Sequence, residues 1–180
     1  MIAVYPGSFD PPTSAHVTLA QAAVEQAGIT RVDLVLSRRP LGKGNRSGPT
    51  VEQRAEILRR VAVAVPWLRV GVVDARLIVD IAQGYDAVVM GADKWSQVVD
   101  PAWYGGSAAA RDAALARLPR LLVAPRAGEH PSVVTGAAGV VAAVTTLDVP
   151  PEVADVSSTR ARAGHHHLML PEALASGLWT

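Results

Sequence analysis

An open, parallel α/β sheet, doubly wound with helices on both faces, is the fold this sequence predicts, and three observations predict it. Short apolar runs alternate with helical patterns from one end of the chain to the other, as repeated βα units require. The runs are of strand length and bounded by turn residues, as in a sheet buried on both faces. The 180 residues are 49% apolar and only 18% charged, which suits one domain with a sizeable core. A single domain over residues 1–180 is expected, with a C-terminal helical part at about 156–180.

The elements follow in order. Ile2 to Tyr5 reads as the first strand. Ala15 to Gln26 reads as a helix, because Val17, Ala20, Val24 and Ala27 recur at three- and four-residue spacing. Gly28 is a natural stop, and Arg31 to Leu36 a second strand. Residues 38–49 are polar, basic and Gly-rich, the composition of a mobile loop. Thr50-Val-Glu-Gln53 is a capping-box pattern, opening a helix with Val51, Ala55, Leu58, Ala62 and Val65 on its buried face. Leu68 to Val73 is a third strand, Leu77 to Gln83 a short helix, and Ala87 to Met90 a fourth strand. Ser107 to Leu118 is an Ala-rich helix, Leu121 to Ala124 a fifth strand, and Val140 to Val144 a weaker sixth.

Composition narrows the function. Seventeen basic against sixteen acidic residues leave a net charge of +1, too even to favour a nucleic acid or an anionic membrane surface. With no cysteine there is no disulfide and no thiolate metal site. No signal peptide and no apolar run of about 18 residues is seen, so the expected compartment is the cytoplasm.

Three segments could carry chemistry. Tyr5-Pro-Gly-Ser-Phe-Asp-Pro-Pro-Thr-Ser-Ala-His16 joins the first strand to the first helix, where ligands bind in an open parallel sheet. Gly7 permits close backbone approach, and Thr13 and His16 flank helix N–H groups that attract phosphate. The same residues also make an ordinary turn and cap. Val156-Ser-Ser-Thr-Arg-Ala-Arg162 sets Ser157, Ser158 and Thr159 before two arginines, a second anion site or a plain N-cap. Gly91-Ala-Asp93 ends the fourth strand, where its carboxylate could hold ribose hydroxyls or cap a helix. His165-His-His167 has the residue type for a transition metal, but adjacent side chains rarely converge on one ion, so no metal site is assigned. Trp95, Trp103 and Tyr104 suit stacking or core packing equally.

The three segments, in this order, resemble the HxGH nucleotidyltransferases. Gly7-Ser-Phe-Asp-Pro-Pro-Thr-Ser-Ala-His16 matches the pattern G-[ST]-F-[DN]-P-x-[TH]-x-x-H, and Val156-Ser-Ser-Thr-Arg-Ala-Arg162 is similar to I-S-S-T-x-x-R. The middle of the chain looks like nicotinate mononucleotide adenylyltransferase: Lys43 stands at a loop lysine, and Gln53-Arg54 with Ile57-Leu58 looks like an R-x-x-[ML]-[ML] helix. Gly91-Ala-Asp93, Trp103, Leu121 to Arg126 and Leu170-Pro-Glu-Ala-Leu174 complete the likeness. Two positions depart from the pattern. Ala15 replaces a glycine, and the stretch from Asp74 to Ile81 lacks the longer G-x-S-Y-T-x-D-T-L segment that shapes the acceptor pocket in those enzymes.

The resemblance implies a Rossmann-like fold and transfer of AMP from ATP to a phosphate-bearing acceptor, with pyrophosphate released and Mg²⁺ as cofactor. The acceptor it favours is nicotinate mononucleotide. The alternatives are another acceptor (phosphopantetheine, a sugar or alcohol phosphate), CTP as donor, or a nucleotide-binding module without turnover. It implies that His16, Thr13, Lys43 and Arg162 are catalytic. Gly7, Ser8, Phe9, His16, Gly91, Asp93, Ser157, Ser158 and Thr159 would bind the nucleotide.

Overall fold

The computed structural model describes residues 1–39, 48–125, 134–136, 139–142 and 144–180. Lys43, Arg46, Arg126 and most of the 38–49 loop lie outside the described residues.

Apolar strands alternate with helices as the sequence predicts. The strands β1 (Ile2–Pro6), β2 (Arg31–Ser37), β3 (Leu68–Val73), β4 (Ala87–Gly91), β5 (Arg120–Ala124), β6 (Val134–Gly136), β7 (Gly139–Ala142) and β8 (Val144–Thr146) are joined by helices α1 (Ser14–Ala27), α2 (Val51–Val63), α3 (Ile78–Ile81), α4 (Ala92–Val98), α5 (Ala108–Leu115), α6 (Ser158–Arg162) and α7 (Pro171–Ala175). Six strands form one sheet in the order β3-β2-β1-β4-β5-β8, all pairs parallel. This is the doubly wound order, and its direction reverses between β1 and β4.

Side chains of β1 alternate across the sheet. Ala3 and Tyr5 join a core with Leu19, Ala20 and Ala23 of α1 and Ala55, Leu58 and Val61 of α2. Val4 joins the opposite core, with Ile81 of α3, Trp95 and Val98 of α4 and Leu115 of α5. Both faces of the central strand are therefore covered, which is why its run is continuously apolar. A third, smaller cluster unites Ile57 of α2 with Ala161 of α6, with Met169 just before α7, with Ala173 of α7, and with partly buried Trp179.

Local signals set most boundaries. Gly28 closes α1 at φ 68°, a conformation glycine reaches at no steric cost. Thr50 and Gln53 form the expected capping box at α2: Thr50 Oγ1 accepts from the Gln53 N–H at 3.1 Å, and Gln53 Oε1 accepts from the Thr50 N–H at 2.8 Å.

The sixth strand differs from expectation. The run read as one strand, Val140 to Val144, divides. β7 pairs antiparallel with β6 in a separate two-stranded sheet, and the sixth parallel strand, β8, continues to Thr146. An edge strand has one partner, and in β8 Thr145 and Thr146 face solvent, so apolar patterning marks it weakly. Two helices are shorter than their patterns: α3 spans four residues, and Ser107 caps α5 instead of lying within it. Helix α4 was not foreseen, although Ala92, Trp95 and Val98 bury one face at three-residue spacing.

Candidate active site

The reversal of strand order between β1 and β4 opens a crevice at their carboxyl ends. The Pro6–Thr13 turn leaves β1 there, and Gly91–Asp93 leaves β4. These are two of the three segments singled out from the sequence.

The β1–α1 turn is held by its own side chains. The Gly7 N–H donates to the Val35 carbonyl at 3.0 Å. A Cβ at Gly7 would lie 2.6 Å from Phe9 Cζ, so the Phe9 ring occupies the space that a side chain would need. Phe9 has a positive φ of 44° and is buried against Tyr5 and His16, with ring centroids 5.6 Å and 5.0 Å away. Left-handed backbone at a bulky residue is held by its surroundings, here the aromatic packing. Phe9 thus shapes the turn, and it lines neither of the cavities described below.

Thr13 is the N-cap of α1 and is fully buried. Its backbone N–H donates to His16 Nδ1 at 2.9 Å, and its Oγ1 stands 2.9 Å from the same nitrogen. A donor on Nδ1 requires that nitrogen to be unprotonated, so the proton of the neutral ring sits on Nε2. Burial acts the same way, pulling His16 down from 6.5 to about 4. The ring keeps partial solvent access, so it is a neutral, oriented N–H donor at the crevice.

A cavity of about 180 Å³ gathers Thr13, His16, Gly91, Asp93, Ser157 and Ser158 with Tyr5, Ala15 and Val156. All three singled-out segments therefore meet at one place. Ser157 caps α6: its Oγ accepts from the Arg160 N–H at 3.2 Å, which leaves its own proton free to donate. Ser158 gives its hydroxyl proton to the Pro11 carbonyl at 2.8 Å, so toward a ligand it offers its backbone N–H. Asp93 is exposed on the first turn of α4, and Gly91, not Asp93, is the N-cap.

Thr159 is exposed and lines neither cavity. Nor does Arg162: its Nη1 donates to the Asp10 carbonyl and lies 3.5 Å from Asp10 Oδ2. Asp10 is 8% exposed and accepts the Trp179 indole N–H at 2.8 Å. The sequence reading assigned Trp179 nothing. Its only signal, an amphipathic ring near the end of the chain, names no partner.

A larger cavity of about 490 Å³ lies across the same turn, with Gly7, Ser8 and Asp10 in its wall. Its opposite walls carry Arg38, Arg54, Arg76, Lys94, Trp103 and Tyr104. Arg38 pairs with Glu52 at 3.1 Å and lies 3.8 Å from Asp74. Arg54 donates to the Ser8 carbonyl, tying α2 to the turn. Burial holds Lys94 below its usual range. Trp103 Nε1 is buried and has no partner among the described residues. Arg76, Lys94 and Gln97 escaped the sequence reading because isolated polar residues carry no periodic signature. The structure thus places Gly7 and Ser8 against this cavity and the other predicted nucleotide-binding residues around the smaller one or behind it.

A cytidylyltransferase-like family model matches residues 4–164. Among curated proteins, phosphopantetheine adenylyltransferase of Deinococcus radiodurans is 35% identical over 92 residues, 51% of this chain and 53% of that protein. The match therefore spans about half the length of that relative. Among solved structures, nicotinic acid mononucleotide adenylyltransferase of Plasmodium falciparum, complexed with NaAD, aligns with a TM-score of 0.62 at 12% identity, covering 97% of this chain and 92% of that one. The same enzyme complexed with APC aligns with a TM-score of 0.62 at 13% identity and the same coverage. These structural likenesses establish the fold. With the family model spanning both motifs and all of the parallel sheet but Ile2 and Ala3, the chain belongs to the cytidylyltransferase-like family of nucleotidyltransferases.

Proposed function

We propose that the protein is an adenylyltransferase that moves AMP from ATP onto the phosphate of nicotinate mononucleotide. One observation carries this reading. His16, fixed as an Nε2–H donor, shares a small cavity at the strand-order reversal with Gly91, Asp93, Ser157 and Ser158. The adjoining larger, basic cavity has the size and charge for a phosphorylated acceptor.

In the reaction, an oxygen of the acceptor phosphate attacks the α-phosphorus of ATP in line. The P–O bond to the β-phosphate breaks, and pyrophosphate leaves with that electron pair. A phosphate oxygen is already a nucleophile, so no general base is required. Catalysis is positioning and charge stabilisation. His16 Nε2–H donates to the α- or β-phosphate oxygens as charge builds. Thr13 acts through the imidazole by holding Nδ1. Ser157 and Ser158 at the start of α6 hold the β- and γ-phosphates; roles for Thr159 and Arg162, which line neither cavity, and for Lys43, outside the described residues, rest on the motif resemblance alone. Gly91 and Asp93 face the nucleoside, and Gly7, Ser8 and Phe9 form the turn between the two substrates.

Mg²⁺ neutralises triphosphate charge when bound. The ion would be held mainly by phosphate oxygens of the nucleotide and by water, as suits its hard, hydrated character. The reading takes the cytoplasm as the working compartment and small molecules as the partners; no described helix is long and apolar enough to cross a membrane.

A second acceptor, phosphopantetheine, is favoured by the 35% identity to a phosphopantetheine adenylyltransferase and by the brevity of the β3–β4 connection, whose helix has four residues. Pyrophosphate release measured with ATP and CTP against nicotinate mononucleotide, its amide and phosphopantetheine separates the readings. Nicotinate mononucleotide with ATP is expected to give kcat/KM of at least about 10⁴ M⁻¹s⁻¹. A faster reaction with phosphopantetheine would replace the acceptor, and no release with any pair would overturn the adenylyltransferase reading.

A further inference from the structure

Tyr5 is the last residue but one of β1, at the carboxyl end of the strand, where the crevice opens. It is 7% exposed, and its ring packs against Phe9 and His16, with centroids 5.6 Å and 6.1 Å away. A buried tyrosine hydroxyl ordinarily finds a hydrogen-bond partner. The Tyr85 hydroxyl donates to Asp33 Oδ2 at 3.1 Å, and the Tyr104 hydroxyl to the Val98 carbonyl at 2.9 Å. Tyr5 is the most buried of the three tyrosines, yet among the described residues its hydroxyl has no partner.

Nor is the oxygen sealed into the core. Among the described residues, Trp103 Nε1 alone is a side-chain polar atom both cut off from solvent and unpaired. The Tyr5 oxygen, unpaired as well, therefore keeps open space beside it. Of the two cavities Tyr5 lines only the smaller, which it shares with His16, Gly91, Asp93, Ser157 and Ser158. Burial pushes the hydroxyl above the usual phenol range, so it keeps its proton near neutral pH and can donate.

We propose that Tyr5 is a nucleotide-binding residue: its hydroxyl donates a hydrogen bond to an oxygen of the nucleotide seated beside His16. The inference rests on the reading of the smaller cavity as the nucleotide site, and adds to it a donor from the central strand itself. A donor fixed by packed rings loses little freedom when it meets its partner, so little of the contact is spent on ordering it. A phenylalanine at this position would fill the same space without the donor, so the effect of that substitution belongs to the oxygen.

The test is Tyr5→Phe in the full chain, followed by thermal unfolding, calorimetry with ATP and Mg²⁺, and steady-state pyrophosphate release. Because no described protein group pairs with the hydroxyl, the unliganded Tm should stay within about 3 °C of wild type. Kd for ATP should rise about fivefold or more, the loss of one hydrogen bond in an enclosed site. The rise in Tm at a fixed ATP concentration should shrink with it. Unchanged Kd overturns the proposal. An unliganded Tm lowered beyond that margin overturns it too, because the hydroxyl would then have a partner within the protein. A hydroxyl that acted only by orienting His16 would lower kcat and leave Kd as it was, and that outcome also overturns it. Wild-type protein that binds ATP yet releases no pyrophosphate overturns the adenylyltransferase reading alone, and the comparison of Kd values still decides the role of Tyr5. Wild-type protein that binds no ATP overturns both.

Discussion

In the proposed reaction His16 concentrates the chemistry in one side chain, and its state is set by Thr13, three residues away, and by the rings packed around it. The Thr13 N–H on Nδ1 and the enclosing Tyr5 and Phe9 rings keep it neutral near pH 7. His16→Ala should lower kcat by about 10²-fold or more with little change in ATP Kd, the mark of a contact made mainly in the transition state. Near-normal turnover would remove His16 from the mechanism. The same burial has a pH signature. The folded-state value, about 4, lies below the unfolded value of 6.5, so the unfolded chain binds the extra proton first. Stability from the neutral ring is full above pH 6.5 and is lost as pH falls through about 4. Urea denaturation of wild type and His16→Ala should therefore show a stability gap that narrows from pH 7 to pH 4. Gly7 makes a second prediction at this scale. Gly7→Ala puts a methyl 2.6 Å from the Phe9 ring and should cost about 1–3 kcal/mol, read as a lowered denaturation midpoint. Motif spacing made these residues legible. The carboxylate–indole contact of Asp10 and Trp179, 169 positions apart, was not, because no local pattern pairs them.

Helix α2 shows how one element serves two structures. Ala55, Leu58 and Val61 bury its sheet-facing side, and Ile57 reaches the cluster under α6 and α7. Its Arg54 crosses to the Ser8 carbonyl in the β1–α1 turn. The capping box, read correctly from Thr50 and Gln53, fixes where the helix starts and hence the rotation that aims these faces. Thr50→Ala should cost about 1 kcal/mol in chemical denaturation. A loss several times larger would mean that Thr50 does more than cap. Strands β1 to β5 were legible because each holds a run dominated by apolar residues, broken by Arg31, Asp33 and Ser37 in β2, Arg69 and Gly71 in β3 and Arg120 in β5. The sixth was misplaced because the apolar run of β7 directly precedes the half-polar edge strand β8, and pairing alone shows which of the two extends the parallel sheet. Helix α4 was given no range from the sequence: Gly91-Ala-Asp93 allowed a strand-to-helix turn with Asp93 as cap, and the structure makes Gly91 the cap.

At the scale of the whole molecule, the smaller cavity draws Tyr5, His16, Gly91 and Ser158 from positions spread over most of the chain. A ligand seated there bridges β1, β4 and α6, so binding is linked to global unfolding. ATP with Mg²⁺ at about one hundred times its Kd should add about 2.7 kcal/mol, seen as a rise in Tm that EDTA diminishes. No shift at saturating nucleotide would count against the cavity as the binding site. By itself the sequence determined the parallel α/β class, five of the six sheet strands, and the three segments that meet at the crevice. These depend on nearest-neighbour chemistry and short periodicities, which a linear text preserves. The tertiary structure alone decided the edge strand, the division into two cavities around one turn, the basic wall with Arg76 and Lys94, and the hold of Trp179 on Asp10. Each of these depends on which distant residues are brought within a few ångströms, and that is set by packing the whole chain at once.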